Sequence, residues 1–218
     1  MHNKRGFAIL RAAAAVVAAA AILFATGFAI ARVIRGGETV TDTSALVNGA
    51  FVEIDAVFIM DIVGEERNAG GDITAYYAIV PVGDQFVTVR FPASWRDSIV
   101  TLRDASMAYL TGESSTMPYH ILVTGTGRTL TDESVAQLTV DWFNENGASM
   151  VQSGVIAEVD DYSVYLCPVL LDADRVGNVS VTAAVTLSVI AGVLLVYAVV
   201  EFTLVGVGVY GGKERRRG

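Results

Sequence analysis

Two apolar runs, Ala12 to Ala31 and Val181 to Val200, are each twenty residues long and free of charged side chains. A helix of that length rises about 30 Å, the thickness of a bilayer's hydrocarbon core. Each run therefore predicts a membrane-crossing helix, and whatever lies between them must fold while tethered at both ends. With flanking apolar residues the spans become 7–33 and 181–210. They leave a short N-terminus at 1–6, a central domain at 36–178 and a basic tail at 211–218.

Charge gives the expected orientation. Lys4, Arg5, Arg11, Lys213, Arg215, Arg216 and Arg217 flank the runs on the terminal sides, and only Arg32, Arg35 and Arg175 on the other. Basic residues near helix ends favour the cytoplasm. Both termini are thus expected in the cytoplasm, the central domain outside the plasma membrane, and membrane lipid as a constant neighbour. A cleaved signal peptide is the rival reading of the first run, with Lys4 and Arg5 before it and Ala29-Ile30-Ala31 as a cleavage-like triplet. Its apolar stretch exceeds the usual length of about 7–15 residues. Either reading puts the domain outside.

Arg11 and Glu201 are the ionisable residues within these apolar stretches. In an antiparallel hairpin both would lie about one turn from the cytoplasmic ends, where charge is costly unless paired. One expectation is an Arg11–Glu201 pair across the helices; the other is separate snorkelling to the headgroups. The Ala-rich first run, with Gly27 and Ala31 four apart, and Ser188 and Gly192 in the second, suits close helix packing. That packing could be within the hairpin, on a partner's helices, or in a homo-oligomer through helix 1.

Between the helices, 36–178 carries twenty-one Asp/Glu against six Arg and no Lys, a formal charge of −15. Such a surface repels phosphate, so nucleic acid is excluded as a partner. Alternation from Gly49 to Val63 predicts a long strand, followed by a polar loop at 64–72. Strands at Ile73–Val82 and Gln85–Phe91 follow, joined by a tight Gly83-Asp84 turn. Helical spacing of Trp95, Ile99, Leu102 and Leu110 predicts a helix that starts at Ser94, capped with Asp97, and ends at Gly112. Tyr119–Thr124 reads as a strand, with Gly125-Thr126-Gly127 as the turn after it. A second helix is expected from Thr131 to Asn146, then strands at Val155–Val159 and Tyr162–Leu171.

This order is α+β. The bent first strand, the meander and a helix before the next strand resemble an OB-type (oligonucleotide/oligosaccharide-binding) small β-barrel with one or two inserted helices, over Val47 to Leu171. Two transmembrane helices flanking such an extracytoplasmic domain resemble small bacterial two-pass membrane proteins of unknown function. The resemblance implies a fold and a location, and assigns no site residues.

His2, His120 and the single Cys167 cannot build a zinc or copper cluster. Asp172-Ala173-Asp174 opens like a calcium loop, but Val176 and Ala183 occupy the fifth and twelfth positions, which excludes an EF-hand. Loose cation binding by Glu65, Glu66 and Asp72, or by Asp160 and Asp161, stays open. No phosphate-binding loop occurs, no serine sits in a nucleophile elbow, and His120 at a strand edge reads as a surface residue. No catalytic, metal or cofactor residues are assigned. Tyr76, Tyr77, Tyr109 and Tyr119 are the candidate interaction surface. Short tethers place Arg32 and Arg35 near Asp172 and Asp174. The expected function is a non-enzymatic accessory, scaffold or sensor subunit that contacts another membrane or envelope protein. A membrane-anchored hydrolase using domain carboxylates and a cation-responsive module are the alternatives.

Overall fold

The computed structural model describes residues 4–210, so the basic tail at 211–218, including Lys213 and Arg215 to Arg217, and the first three residues lie outside the described residues. The chain divides into two compact units: the terminal helices with their flanks, and the domain from Arg35 to Asn178.

The helical unit is a pair. α1 spans Lys4–Arg35 and α4 spans Val181–Gly206, and each is long and apolar enough to cross a membrane. Alanine makes the seam. Ala8, Ala12, Ala15, Ala19, Thr26 and Ala29 are buried on α1; Ala184, Ala191, Ala198 and Val205, each seven residues after the last, are buried on α4. A seven-residue repeat of small side chains keeps one face against a neighbouring helix and brings backbones close. Thr26 Oγ1 and Ser188 Oγ meet at 3.4 Å across it. Gly27 and Gly192, expected at the contact, have nothing within 4 Å of a built Cβ and point away. The expected Ala-rich run supplies Ala12, Ala15 and Ala19 to the seam, and Ser188 joins it through Thr26.

The domain is α+β around a mixed seven-stranded sheet. Its strands are β1 (Glu38–Val40), β2 (Phe51–Ala56), β3 (Asp61–Arg67), β4 (Ile73–Val82), β5 (Gln85–Pro92), β6 (Ile121–Thr129) and β7 (Val169–Asp172), in the order β1-β2-β6-β7-β5-β4-β3. The β1–β2 and β5–β7 pairs are parallel and the others antiparallel. The sheet curls far enough for β2 and β4 to share one core, with Ile54 and Val80 fully buried in it. β1 and β3 remain unpaired edges, so the expected closed OB-type barrel is not formed.

The alternating run 49–63 explains the difference. It breaks at Val57–Met60, where the Ile59 amide donates to Ser106 Oγ (3.1 Å) and the Met60 amide to the Ile79 carbonyl (2.8 Å). One apolar pattern thus supplies two strands in opposite halves of the sheet. The β4–β5 turn is as expected, with Gly83 at φ +59 taking the position that only glycine adopts cheaply.

Helix α2 (Arg96–Leu110) packs Ile99 and Leu102 into the larger core. Ser94 and Asp97 do not cap it, because a 3₁₀ turn at Ala93–Trp95 feeds the chain in. Helix α3 (Glu133–Gln152) covers the opposite face, packing Phe143 and Met150 on Ile79 and Phe86. Its cap is Asp132, one residue after the expected Thr131, accepting from the Ser134 amide. Gly147 does not stop it. A Cβ there would lie 2.6 Å from the Tyr162 ring, so this glycine admits an aromatic neighbour. The expected strands at 155–159 and 162–171 reduce to a coil, a 3₁₀ turn at Tyr162–Tyr165 and the short β7. Tyr162, Tyr165 and Leu166 are drawn onto α3 and Phe86.

Candidate functional site

The four tyrosines do not form one surface. Tyr76 and Tyr77 are neighbours on β4, so they occupy opposite sheet faces: Tyr76 is buried in the core, and Tyr77 is half-buried beside Glu66. Tyr109 packs on Phe58, ring centroids 5.8 Å apart, and Tyr119 donates to the Ser98 carbonyl at 3.2 Å. His120, just before β6, has Nδ1 2.7 Å from Oδ1 of Asp55 on β2, and both side chains are exposed. Cys167 is buried, and burial pushes its thiol up from the ordinary range. Among the described residues no three His, Cys, Asp or Glu side chains converge as a metal site.

Arg11 and Glu201 are brought together. Arg11 Nη2 donates to Glu201 Oε1 at 2.8 Å, the same oxygen accepts from Tyr197 (2.8 Å), and Oε2 accepts from Tyr210 (2.9 Å). Glu201 is buried in this ring of donors. Glu201→Gln keeps the tyrosine bonds but strips Arg11 of its counter-charge. A loss of about 1–2 kcal/mol in hairpin stability is expected, the size of strong polar pairs between membrane helices. It is readable as an earlier midpoint in detergent titration; an unchanged midpoint would assign the pair no energetic role.

The domain's main polar constellation is elsewhere, and sequence reading missed it. Three of its six arginines converge on Asp172, the last residue of β7, whose side chain is 0% exposed. Arg90 Nη1 reaches Oδ1 at 3.2 Å; Arg128 Nη1 and Arg175 Nε each reach Oδ2 at 3.2 Å. The Asp174 amide adds a bond to Oδ1 at 3.3 Å. Parallel pairing makes Arg90 and Asp172 register partners, β6 delivers Arg128, and the turn after β7 returns Arg175. Asp172, named with Asp174 in the expected pairing with Arg32 and Arg35, takes these partners from its own domain.

Arg90 also forks onto Glu66, Nε to Oε2 at 2.8 Å and Nη2 to Oε1 at 3.1 Å. Tyr77 (3.0 Å) and Thr74 (3.2 Å) donate to the same carboxylate. A register shift in β3 between Glu66 and Arg67 accompanies this aim, as β-bulges do. Glu66, Tyr77 and Arg90 line a groove of about 410 Å³ with Arg128, Thr129, Thr131, Asp132 and Arg175. Glu65 is bonded to Arg67, Asp72 to Asn68, and Asp161 to the Ser163 amide, so the acidic loops hold internal partners.

The bonds from Arg90 hold the Glu66 carboxyl down, from its ordinary 4.5 to about 2, against the opposing effect of burial. Asp132 is also lowered, by its bonds from Ser134. Because the folded state binds the Glu66 proton more weakly than the unfolded chain, this group adds stability above about pH 4.5 that is lost as pH falls towards 2. Glu66→Gln should therefore narrow the stability gap between about pH 7 and about pH 3, measured by urea midpoints. An equally steep acid loss in the variant would contradict the assignment.

A second groove, about 370 Å³, lies between α2 and α3 and is lined by Met60, Met107, Leu110, Trp142, Met150 and Val155 among others. Trp142 Nε1 donates to Asp61 Oδ2 at 3.1 Å beneath it.

A family model described as Domain of unknown function (DUF8577) matches residues 5–203. The chain belongs to this family. The DUF8577 match takes in both apolar helices as well as the domain, with Arg11, Glu201 and the Asp172 arginines all inside it. No curated protein and no solved structure matches the chain.

Proposed function

We propose that this is a two-pass plasma-membrane protein whose acidic domain stands outside the cell as a non-enzymatic interaction module. It serves as an accessory, scaffold or sensor subunit of an envelope complex. Support for the anchoring comes from the outward faces of the hairpin, where Phe24 is 92% and Phe28 72% exposed, surfaces that lipid rather than water would cover.

The observation that carries the binding reading is how the groove carboxyls are bonded: Glu66 accepts from Arg90, Tyr77 and Thr74, and Asp132 from the Ser134 amide. A carboxylate hydrolase needs one carboxyl raised enough to give a proton near neutral pH. Glu66 and Asp132, which line the groove, are both held in the opposite direction. Carboxylates locked by arginine and serine donors position neighbours and accept bonds; they do not shuttle protons. The cation-responsive reading weakens similarly, since Glu66 is spent on Arg90.

The partner's contact is the α2–α3 groove. Its Met60, Met107 and Met150 side chains are unbranched and adapt to an apolar partner. In-cell cross-linking with mass spectrometry tests this. One recurrent partner, lost on Met107→Asp together with Leu110→Asp, is the expected result. Self-links alone, with hydrolytic turnover abolished by Glu66→Gln, would replace the reading with an enzyme.

A further inference from the structure

Asp172 is saturated, while two of the arginines around it are not. Its two oxygens accept three hydrogen bonds, from Arg90, Arg128 and the Asp174 amide, and Arg175 Nε stands 3.2 Å from Oδ2 as an ion pair, so donors face all of the roughly four lone-pair sites of a carboxylate. Arg128 spends only Nη1 there, and Arg175 spends Nε, with Nη1 at 3.5 Å from the Asn178 carbonyl. Nε and Nη2 of Arg128 and Nη2 of Arg175 have no partner among the described residues. Both side chains are accessible, 47% and 38% exposed, and both line the groove beside Thr129 and Thr131.

Guanidinium forks match the oxygen pairs of phosphate and carboxylate groups. We infer that the groove between Arg128 and Arg175 binds a small oxyanion, a phosphate group carried by a solute or a lipid headgroup. This rests on reading the groove as a binding site, not a catalytic one.

The remaining charges set the strength. Arg90, Arg128 and Arg175 face Glu66, Asp132 and Asp172, so the groove has no net positive field. Recognition comes from directed N–H donors, and the surrounding −15 domain slows the approach of an anion. At physiological salt that repulsion fades beyond about 8 Å, so short-range bonds decide the outcome. Affinity for bare phosphate is accordingly on the order of millimolar.

The test is phosphorus NMR of inorganic phosphate titrated with the full chain in dodecylmaltoside micelles, which hold no phosphate. Saturable line broadening is expected, weakened about ten-fold or more by Arg128→Gln and by Arg175→Gln. Arg128→Lys keeps a charge for Asp172 but loses the fork, so it should also weaken binding while the melting temperature holds. Absence of broadening, or broadening unaffected in all three variants, overturns the inference. Phosphatidylglycerol added to the micelles separates the sources: displacement of phosphate identifies a headgroup ligand, and no displacement a free solute. Failure here beside an intact cross-linked partner would remove the oxyanion site and leave the interaction module standing.

Discussion

Asp172→Ala should cost the domain about 3–5 kcal/mol, the loss seen when one member of a buried ion cluster is removed. The reason is geometric. Asp172 has no solvent exposure and is the common acceptor of Arg90, Arg128 and Arg175, so its loss strands three guanidinium groups at once. Arg128 and Arg175 can turn to water. Arg90 cannot do so readily, because its side chain is only 16% exposed and is already committed to Glu66. The Asp174 amide loses its acceptor as well, loosening the turn that returns Arg175. Thermal unfolding of the full chain, followed by fluorescence of Trp95 and Trp142, should show a midpoint lower by about 10 °C or more. Asp172→Asn keeps one acceptor oxygen and should lose less. A shift within about 3 °C for Asp172→Ala would mean that the arginines are held by something other than this carboxylate.

Gly125→Ala should be equally damaging, for a different reason. A Cβ at Gly125 would stand 2.5 Å from the Asp172 carbonyl oxygen and 2.8 Å from its carbon, both backbone atoms of the neighbouring strand. Two positions on, a Cβ at Gly127 would stand 2.4 Å from the Val47 carbonyl oxygen. Relief at Gly125 requires moving β7, which would break the ladder from Thr126 to Thr129 that holds β6 to β7. Ordinarily alanine gains about 0.5–1 kcal/mol over glycine in a strand. Here the clash should reverse the sign and exceed that gain by several kcal/mol, as overpacking against backbone does. Gly192→Ala is the control: it meets nothing within 4 Å on a helix, and should be neutral or slightly stabilising. Urea midpoints of the two variants provide the comparison. If Gly125→Ala matched the control, the close approach of β6 and β7 would be wrong.

That pair of glycines also marks where sequence reading stopped. Read locally, Gly125-Thr126-Gly127 between a strand and a helix looks like a turn. Only the backbone of β7 beside Gly125 and of Val47 beside Gly127 explains why two side chains must be missing mid-strand, and neighbours distant in sequence leave no local trace. The Gly83-Asp84 hairpin and the apolar faces of α2 and α3 were legible because their determinants lie within a few residues. Barrel closure was not, since it turns on whether β1 and β3 meet, and the break at 57–60 hides inside an unbroken alternation.

The candidate site divides in the same way. Arg11 and Glu201 could be singled out because apolar stretches offer few ionisable residues to choose between, and their geometry is a 2.8 Å contact. The Asp172 cluster draws on β5, β6 and the turn after β7. In sequence its arginines were only minority charges in an acidic stretch. One clue was present: Asp172 follows Val169-Leu170-Leu171, so a charge ends a strand whose other residues are apolar, and such a charge needs partners.

Membrane-impermeant maleimide labelling of intact cells measures directly on which side of the membrane the domain stands. In a Cys167→Ala background, cysteine at Ser115, an exposed residue beyond α2, should label without permeabilisation. Cysteine at Lys213, in the basic tail, should label only after it. Labelling of the tail but not of Ser115→Cys in intact cells would turn the protein inside out and contradict the proposed extracytoplasmic role.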